Sequence, residues 1–266
     1  MHLNESIDGR VVDIAQLSRR QIKAIRSELQ MIFQDPYSSL NPRLPVLYLI
    51  SEPLAAHGWS PRKREMRVTE LMERVGLEPR YIRRYPHAFS GGQRQRIGIA
   101  WALALSPSLI VADEPVSALD VSVQAQILNL LQELQADLNL TMLFVAHDLS
   151  VVRYLCDEVA VMYKGRLVEQ APTEELFSKP QHPYTAMLLN AAPVPDPHAA
   201  WMAEDEEVGE AGELPPASEA GCAFVPRCRY GSDRCREQIP ALEIAAKGRP
   251  HLAACHNKHE IELKSI

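Results

Sequence analysis

Two carboxylates, Asp113 and Glu114, directly follow the apolar run formed by residues 109–112. A short apolar run of this kind predicts a buried strand. A carboxylate at the end of a strand can hold Mg²⁺, and its neighbour can orient and deprotonate a water molecule. This interpretation assigns the metal to Asp113 and the water to Glu114. The simpler alternative is a solvated acidic loop.

A pair of glycines stands earlier in the chain, within the sequence Ser90, Gly91, Gly92, Gln93. Glycines let backbone amides approach a phosphate closely, Ser90 adds a hydroxyl donor, and a helix start supplies partial positive charge. The segment therefore has the chemistry of a phosphate-binding turn. Taken alone, it is explained at least as well by a glycine turn that caps a helix.

Two further polar residues lie beside predicted elements. Asp120 precedes a predicted helix, where it can equally be an N-cap. His147 follows the apolar run 141–146, and a lone histidine at such a place is usually just a hydrogen-bonded residue. The glycine segment, the carboxylate pair, Asp120 and His147 would nevertheless rarely occur in this order by chance.

Apolar spacing predicts the elements that must position these residues. Helices are predicted around residues 18–26, around 68–75 and ending at Gly76, directly after Gly92, and after Asp120. A hairpin is predicted at Asp8-Gly9 and a strand at 29–33. The runs 109–112, 141–146 and 159–163 are predicted to be buried parallel strands. Strands that alternate with helices predict an α/β layered fold.

Composition limits the classes of function. The net charge is −6, and the segment 204–213 holds six acidic residues and no basic one, so the remainder is close to neutral. That balance argues against a protein built mainly to hold nucleic acid. No secretory signal is recognisable at the start, and no apolar run reaches the roughly 20 residues of a spanning helix. Contact with a membrane is therefore expected to go through partner proteins.

Four of the five cysteines crowd the last 45 residues: Cys222, Cys228, Cys235 and Cys255. Their clustering predicts a local site, and a cytosolic setting disfavours disulfides. The close pairing usual in zinc sites is absent, and four thiolates can hold an iron–sulfur cluster. The residues alone leave a cluster, zinc or free thiols open. Cys156 is predicted to be a small core residue. The histidines 251, 256 and 259 are predicted to face solvent, although any of them could substitute as a zinc ligand.

The order of the motifs resembles the nucleotide-binding domain of ABC transporters, over residues 1 to about 190. The resemblance implies a P-loop NTPase-like α/β fold that binds ATP and Mg²⁺. It identifies the segment from Ser90 to Gln93 as the signature motif and Asp120 as the D-loop aspartate.

The same resemblance assigns roles around the metal and the attacking water. Asp113 would be the magnesium-site aspartate, Glu114 the catalytic glutamate and His147 the switch histidine. Gln34 would be the Q-loop glutamine, which joins the Mg²⁺ site to the membrane subunits.

Finer features are similar to the oligopeptide and dipeptide importers, namely the extended Q-loop at 31–42, the segment 180–185 and the C-terminal cysteine region. The likeness implies a second ABC ATPase subunit and transmembrane permease subunits as partners, and indirectly a peptide-binding protein. It implies a peripheral place at the cytoplasmic face of the inner membrane and no nucleic acid. Members of this family carry a [4Fe–4S] cluster near their C-terminal cysteines, which favours a cluster over Zn²⁺.

Three features depart from the family pattern. Trp101 stands where arginine is usual, and Leu47-Tyr48 replaces a small-acidic pair. A P-loop needs Gly-x-x-x-x-Gly-Lys-Ser/Thr, yet none of the twelve glycines is followed by lysine. In the family this loop would precede residue 1. We therefore expect either a misassigned start or a truncated product. We also expect these residues alone to hydrolyse little ATP. Part of the apolar surface of the strands should be exposed.

The sequence thus predicts an ABC ATPase domain without its P-loop at 1–192, a proline-rich acidic linker at 193–221 and a cysteine-rich module at 222–266. The predicted function is to energise peptide import. One alternative is a catalytically inactive subunit that lends only its signature motif to a partner's site. A DNA-associated ABC ATPase is disfavoured by the extended Q-loop and the absence of a long coiled-coil insertion.

Overall fold

The computed structural model describes residues 3–7, 10–35, 39–191, 220–245, 250–259, 261 and 263. By its internal contacts the chain divides into two compact units, Met1–His147 and Asp148–Ile266. The boundaries predicted near residues 192 and 222 stay predictions, because the linker residues 192–219 lie outside the described residues. The turn at Asp8-Gly9 and positions 36–38 of the predicted Q-loop also lie outside them.

The first unit is built around a parallel sheet of three strands in the order β3-β4-β5. Leu109 pairs with Leu29 on one side and with Thr141 on the other, so the three strands start in register. A separate antiparallel pair, β1 and β2, confirms the predicted hairpin. The strands are β1 (Leu3–Ile7), β2 (Arg10–Val12), β3 (Leu29–Ile32), β4 (Leu109–Asp113) and β5 (Thr141–Val145).

Five α-helices are described in the first unit, and the predicted ones are confirmed within a few residues. The helices are α1 (Arg19–Ile25), α2 (Val46–Ala56), α3 (Pro61–Arg74), α4 (Gly91–Ala102) and α5 (Val121–Leu138). The buried apolar faces of α2 to α5 form a core together with β4. This core includes Ile50, Met72, Ile97 and Leu131.

Helix α4 packs on α2, α3, α5 and β3, and arginine side chains join it to α3 in both directions. Arg96 donates to the carbonyl of Val75 at 2.6 Å, where α3 ends. Gly76 then turns the chain with φ +71°, a conformation that favours glycine. At the C-terminal end of α4, Arg67 of α3 donates to the carbonyl of Leu103 at 3.3 Å. Such donors satisfy carbonyls that a helix end leaves without partners.

Strand β5 carries apolar side chains on a face that is not covered by the described residues. Leu143 and Val145 are 40% and 45% exposed. The expectation of exposed apolar strand surface is confirmed here. The companion prediction that this run is a buried strand is wrong, although its parallel pairing is confirmed.

The second unit contains an antiparallel sheet in the order β6-β7-β9-β8. The prediction that residues 159–163 form a parallel strand is therefore wrong. The physical reason is the two-residue turn Lys164-Gly165, where both residues have positive φ (46° and 76°). A turn this short can join only antiparallel strands. The strands are β6 (Glu158–Tyr163), β7 (Arg166–Pro172), β8 (Glu243–Ile244) and β9 (Leu252–Ala253).

Short helices accompany this sheet, and β8 and β9 bring the cysteine-bearing segment onto β7. The cysteine-bearing segment therefore belongs to the same sheet as β7. None of the described helices is long and apolar enough to cross a membrane. The helices are α6 (Leu149–Leu155), α7 (Thr173–Ser178), α8 (Pro183–Asn190) and α9 (Asp233–Glu237).

We predict that Gly92→Ala destabilises the protein, because a Cβ at this position would lie 2.4 Å from Cγ1 of Val123 at the start of α5. Overpacking of this kind typically costs about 1–3 kcal/mol. Gly98 lies in the same helix with open space around its Cα, so Gly98→Ala is the matched control. It should be neutral or stabilising by up to ~1 kcal/mol. Urea unfolding followed by circular dichroism measures both, and equal free energies of unfolding would contradict the close-approach argument.

Candidate functional site

The parallel register places three predicted site residues at one edge of the sheet. Gln34 lies two residues after β3, Glu114 follows β4 directly, and His147 lies two residues after β5. Because the carboxyl ends of parallel strands meet at one edge, residues far apart in sequence become neighbours there. Asp113, the last residue of β4, is half-buried at the same edge.

The carboxylate of Glu114 lies between the other two side chains. Gln34 Nε2 donates to Glu114 Oε2 at 2.8 Å, and His147 Nδ1 lies 3.2 Å from Glu114 Oε1. Each carboxylate oxygen has further lone pairs and can accept another hydrogen bond. The arrangement therefore orients the carboxylate and leaves it able to take a proton from a water molecule.

The backbone of Glu114 is held in a sparsely populated conformation. Its φ is +43°, which is costly for a residue with a Cβ and is found mainly where function or surroundings require it. The Glu114 amide donates to the Val145 carbonyl of β5 at 2.9 Å, and the Ser117 hydroxyl donates to the Glu114 carbonyl at 3.1 Å. These bonds on both sides of the residue fix the direction of its side chain.

The glycine segment is, locally, a helix cap. Ser90 is the N-cap of α4: its hydroxyl accepts from the Gln93 amide at 3.3 Å, and the Ser90 amide donates to Gln93 Oε1 at 3.0 Å. The capping interpretation is thus confirmed. It does not conflict with anion binding, because the first amides of a helix, here those of Gly91 and Gly92, have no carbonyl of the helix to bond.

Asp120 also caps a helix. Its Oδ1 accepts from the Val123 amide at 3.0 Å and from the Ser122 hydroxyl at 2.7 Å. The Ser122 hydroxyl, followed by the Val123 amide, lowers the pKa of the Asp120 carboxyl. The N-cap interpretation is confirmed, and the carboxylate stays ionised at neutral pH at the start of α5.

A groove lies beside this site, between β3, α2 and α4. Phe33, Leu44 and Trp101 contribute to its apolar walls, and Gln95 also lines it. Helix α4 runs unbroken through Trp101, whose ring centroid lies 6.1 Å from that of Phe33. Gln95 is 1% exposed, and its Nε2 finds no hydrogen-bond acceptor among the described residues.

In the second unit, all four clustered cysteines line one small cavity together with His182, Phe224 and His256. Their thiols are free, as is that of Cys156. Burial raises the pKa of the Cys228 thiol to about 11, and the neighbouring thiols add to this shift. Burial also raises the pKa values of Cys222 and Cys255. The cavity therefore disfavours thiolates unless a positive charge is bound there.

The spacing of these thiols bears on what they can hold. Among the residues that the structure describes, no group of three or more His, Cys, Asp or Glu side chains lies close enough to hold one metal ion. This finding gives no direct support to either Zn²⁺ or an iron–sulfur cluster at the four cysteines.

The prediction that the three C-terminal histidines face solvent is wrong for His251, which is 1% exposed. Its Nε2 lies 2.6 Å from Oε1 of the fully buried Glu169 on β7. A buried carboxylate requires such partners, since its desolvation is otherwise costly. His256 is half-buried, with Nε2 3.0 Å from the Gln238 carbonyl, whereas His259 is exposed. Cys156, predicted as a core residue, is half-buried at the end of α6.

Glu169 also binds the segment that precedes α8, which was not predicted. The amides of Gln181 and His182 donate to its two oxygens at 2.7 and 2.9 Å. An acidic residue between Val168 and Ala171, in a strand that is otherwise largely buried, was the available signal. The ring of His182 is buried too, and desolvation lowers its pKa to about 4 against the opposing effect of Glu169.

Comparison with known families gives two matches along the chain. Residues 1–117 match the family described as ABC transporter, and residues 168–235 match the C-terminal region of the oligopeptide/dipeptide transporter family.

Solved ATP-binding cassettes resemble the structure. One is cbiO1 of Clostridium perfringens, part of the ABC transporter complex cbiONQ, with a TM-score of 0.57 at 30% identity, covering 64% of this chain and 66% of that one. Another is a dimeric cassette in a post-hydrolysis state with ADP and phosphate, with a TM-score of 0.54 at 30% identity, covering 63% of this chain and 72% of that one.

Curated relatives are closer in sequence. A probable peptide ABC transporter ATP-binding protein of Sinorhizobium fredii is 51% identical over 263 residues, covering 96% of this chain and 73% of the relative. The oligopeptide transport ATP-binding protein AppF of Bacillus subtilis is 50% identical, covering 92% and 74%. With half of its residues shared over nearly its whole length, the chain belongs to the ATP-binding subunits of the oligopeptide and dipeptide ABC transporter family, which are ABC-type ATPases.

Proposed function

We propose that the chain hydrolyses ATP to energise the import of oligopeptides or dipeptides through an ABC transporter. The observation that carries the proposal is the Glu114 carboxylate, oriented by Gln34 and His147 at the edge of the parallel sheet. A carboxylate fixed in this way can accept a proton from the water that attacks a phosphate.

The remaining site residues complete this chemistry. Asp113 lies beside Glu114 at the end of β4, and Asp113 and Gln34 would hold Mg²⁺ through oxygen ligands, the kind that this ion prefers. Bound Mg²⁺ would neutralise charge on the phosphates. The first-turn amides at Gly91 and Gly92 would bind the phosphate of a nucleotide held by a second ATPase subunit, with Ser90 and Gln93 shaping that turn.

The groove beside Gln34 is proposed to receive an apolar segment of a transmembrane permease subunit. Two of its apolar side chains stay accessible, Phe33 at 44% and Leu44 at 36%. The buried Gln95 offers a donor without a described acceptor, which a carbonyl of the incoming segment can supply. Because Phe33 directly precedes Gln34, an occupant of this groove would act on the residue that contacts Glu114.

Docking of this kind would hold the subunit at the cytoplasmic face of the inner membrane. A peptide-binding protein on the other side would deliver the substrate to the permease. In this arrangement the ATPase acts on the transported peptide only through the other components.

We also propose that Cys222, Cys228, Cys235 and Cys255 hold a [4Fe–4S] cluster. The support is their common cavity and their free thiols. A cluster supplies positive charge that stabilises the thiolates and can exchange one electron. Its binding would join β9, α9 and the segment that begins at Gly221.

Glu114→Gln is expected to lower ATP turnover by the transporter, purified from its native membrane, about 10²- to 10⁴-fold, because the amide cannot take the proton. The amide keeps the size of the side chain, so folding should be unchanged. Glu133→Gln, on the exposed side of α5, is the matched control and should leave turnover unaltered. Phosphate release measures both.

The same assay tests the alternative in which the chain lends only its signature motif to a partner. Ser90→Arg places bulk and charge at the first turn of α4 and should block turnover in either case. Normal turnover in Glu114→Gln, together with a block in Ser90→Arg, would reject Glu114 as the base.

Leu44→Asp is expected to weaken association with the permease subunits at least tenfold, since a carboxylate would be buried in an apolar groove. Met66→Asp, at a 65% exposed position of α3 outside the groove, is the control. Co-purification of the permease subunits and their ATPase stimulation measure the effect. Equal loss for both variants would contradict docking in the groove.

Cys235→Ser is expected to abolish the cluster, because a buried hydroxyl is a poor ligand for iron. Cys156→Ser removes a half-buried thiol outside the cavity and should keep the full complement of iron and sulfide. Anaerobically purified protein is assayed for both elements and for brown colour. Stoichiometric zinc without iron in the unmodified protein would contradict the cluster and support a zinc site.

A further inference from the structure

Glu52 brings a negative charge to the groove that lies between β3, α2 and α4. Of the described residues that line this groove, Glu52 alone carries a charge, and the others are apolar or neutral polar. Leu49 lines the groove three residues earlier, a spacing that puts both side chains on one side of α2. Leu49 is buried, whereas Glu52 is exposed. The wall formed by α2 is therefore apolar inside and acidic where it meets solvent.

The carboxylate of Glu52 is not neutralised within the described part of the chain. No cation among the described residues pairs with it. Two glutamates on the neighbouring α3 do have such partners. Glu65 Oε1 lies 3.7 Å from Nη2 of Arg83, and Glu70 Oε1 lies 2.8 Å from Nη1 of Arg67. The charge of Glu52 is thus left for a group that enters the groove.

The opposite wall, formed by α4, requires a hydrogen-bond acceptor. Nε2 of the buried Gln95 has none among the described residues, and a buried donor without an acceptor is costly. Gly98 lines the same wall three residues later, with open space around its Cα. Another backbone can therefore come close to α4 and offer a main-chain carbonyl to Gln95.

These two walls limit the chemistry of an occupant. A purely apolar segment would remove water from the Glu52 carboxylate without replacing it, which is costly. An acidic segment would be repelled. A neutral donor would bind, but a charged donor forms a shorter and stronger hydrogen bond to a carboxylate. The groove is therefore best matched by an apolar segment that carries one basic side chain.

We propose that Glu52 is a specificity-determining residue, which pairs with a Lys or Arg side chain of the permease segment that occupies the groove. This inference rests on the proposed docking of a permease subunit there. Leu44 and Phe33 would contact apolar side chains of that segment, and Gln95 would bind its backbone. Only the charge at Glu52 distinguishes one apolar segment from another, so the pair would decide which permease the subunit accepts.

Glu52→Lys is expected to lower the affinity of the full chain for the permease subunits about tenfold or more, as for close charge pairs across an interface. Glu52→Gln should have a smaller effect, because it removes attraction without adding repulsion. Glu73→Lys, at an exposed position of α3 outside the groove, is the matched control. Binding is measured to permease subunits purified from their native membrane in lipid nanodiscs. The loss should shrink as salt is added, because salt screens exposed charges.

A charge exchange identifies the partner cation. Each Lys and Arg of the cytoplasmic permease loops is changed to Glu in turn and combined with Glu52→Lys. One combination should recover most of the lost affinity, since it restores a pair of opposite charges. If no combination recovers it, the pairing with a permease cation is wrong.

The outcomes separate this inference from docking itself. Equal binding by Leu44→Asp and Met66→Asp would overturn docking in the groove, and with it the role of Glu52. A selective loss in Leu44→Asp, together with equal affinities for Glu52→Lys and Glu73→Lys, would overturn the role of Glu52 alone.

A crosslinking measurement leaves Glu52 unchanged. Tyr48 precedes it by four residues on the same side of α2 and is 56% exposed. Replacing Tyr48 by the photoreactive benzoylphenylalanine keeps an aromatic side chain at this place. Illumination of the assembled transporter should join it to a permease peptide with Lys or Arg within one helical turn of the crosslink. A crosslink to a second copy of the chain, or to a peptide without a basic residue, would overturn the proposal.

Discussion

The parallel pairing of β3, β4 and β5 is the constraint on which the candidate catalytic site depends. Leu109 pairs with both Leu29 and Thr141, so three segments that are about 30 to 80 residues apart end at one edge. A slip of one residue would turn every side chain of the moved strand to the other face. Gln34 or His147 would then lose its contact with the Glu114 carboxylate. The 2.8 and 3.2 Å contacts of that carboxylate thus rest on the backbone register and not on local sequence.

Glu169 has a corresponding role in the second unit. Its buried carboxylate accepts from two backbone amides and contacts His251, and so it joins β7 to the segment before α8 and to the residue that precedes β9. Removing one partner of a buried hydrogen bond leaves the other unsatisfied, at a typical cost of about 1–3 kcal/mol. The network therefore makes the cysteine cavity depend on a strand that contributes no cysteine to it.

Local patterns in the sequence predicted the first unit well. The apolar spacing around residues 97–105 and 123–134 predicted α4 and α5. The apolar runs at 29–33, 109–112 and 141–146 predicted β3, β4 and β5. His147 and the N-cap residue Ser90 were recognised as candidate site residues because they lie at the ends of these elements. Family resemblance supplied their roles, since the residue types alone fit a helix cap or a solvated loop equally well.

Two of the misses have different physical causes: one is the conformation of a two-residue turn, and the other is a partner that is distant in sequence. The run at 159–163 is apolar enough for a buried parallel strand, yet the two positive φ angles at Lys164 and Gly165 return the chain beside it, and this turn decides its direction. His251 follows a proline near the C-terminus and looks solvent-facing until Glu169, 82 residues earlier, is placed against it. Burial of a polar side chain is energetically acceptable only when a partner is present. Its position can therefore be predicted from sequence only when both members of the pair are recognised together.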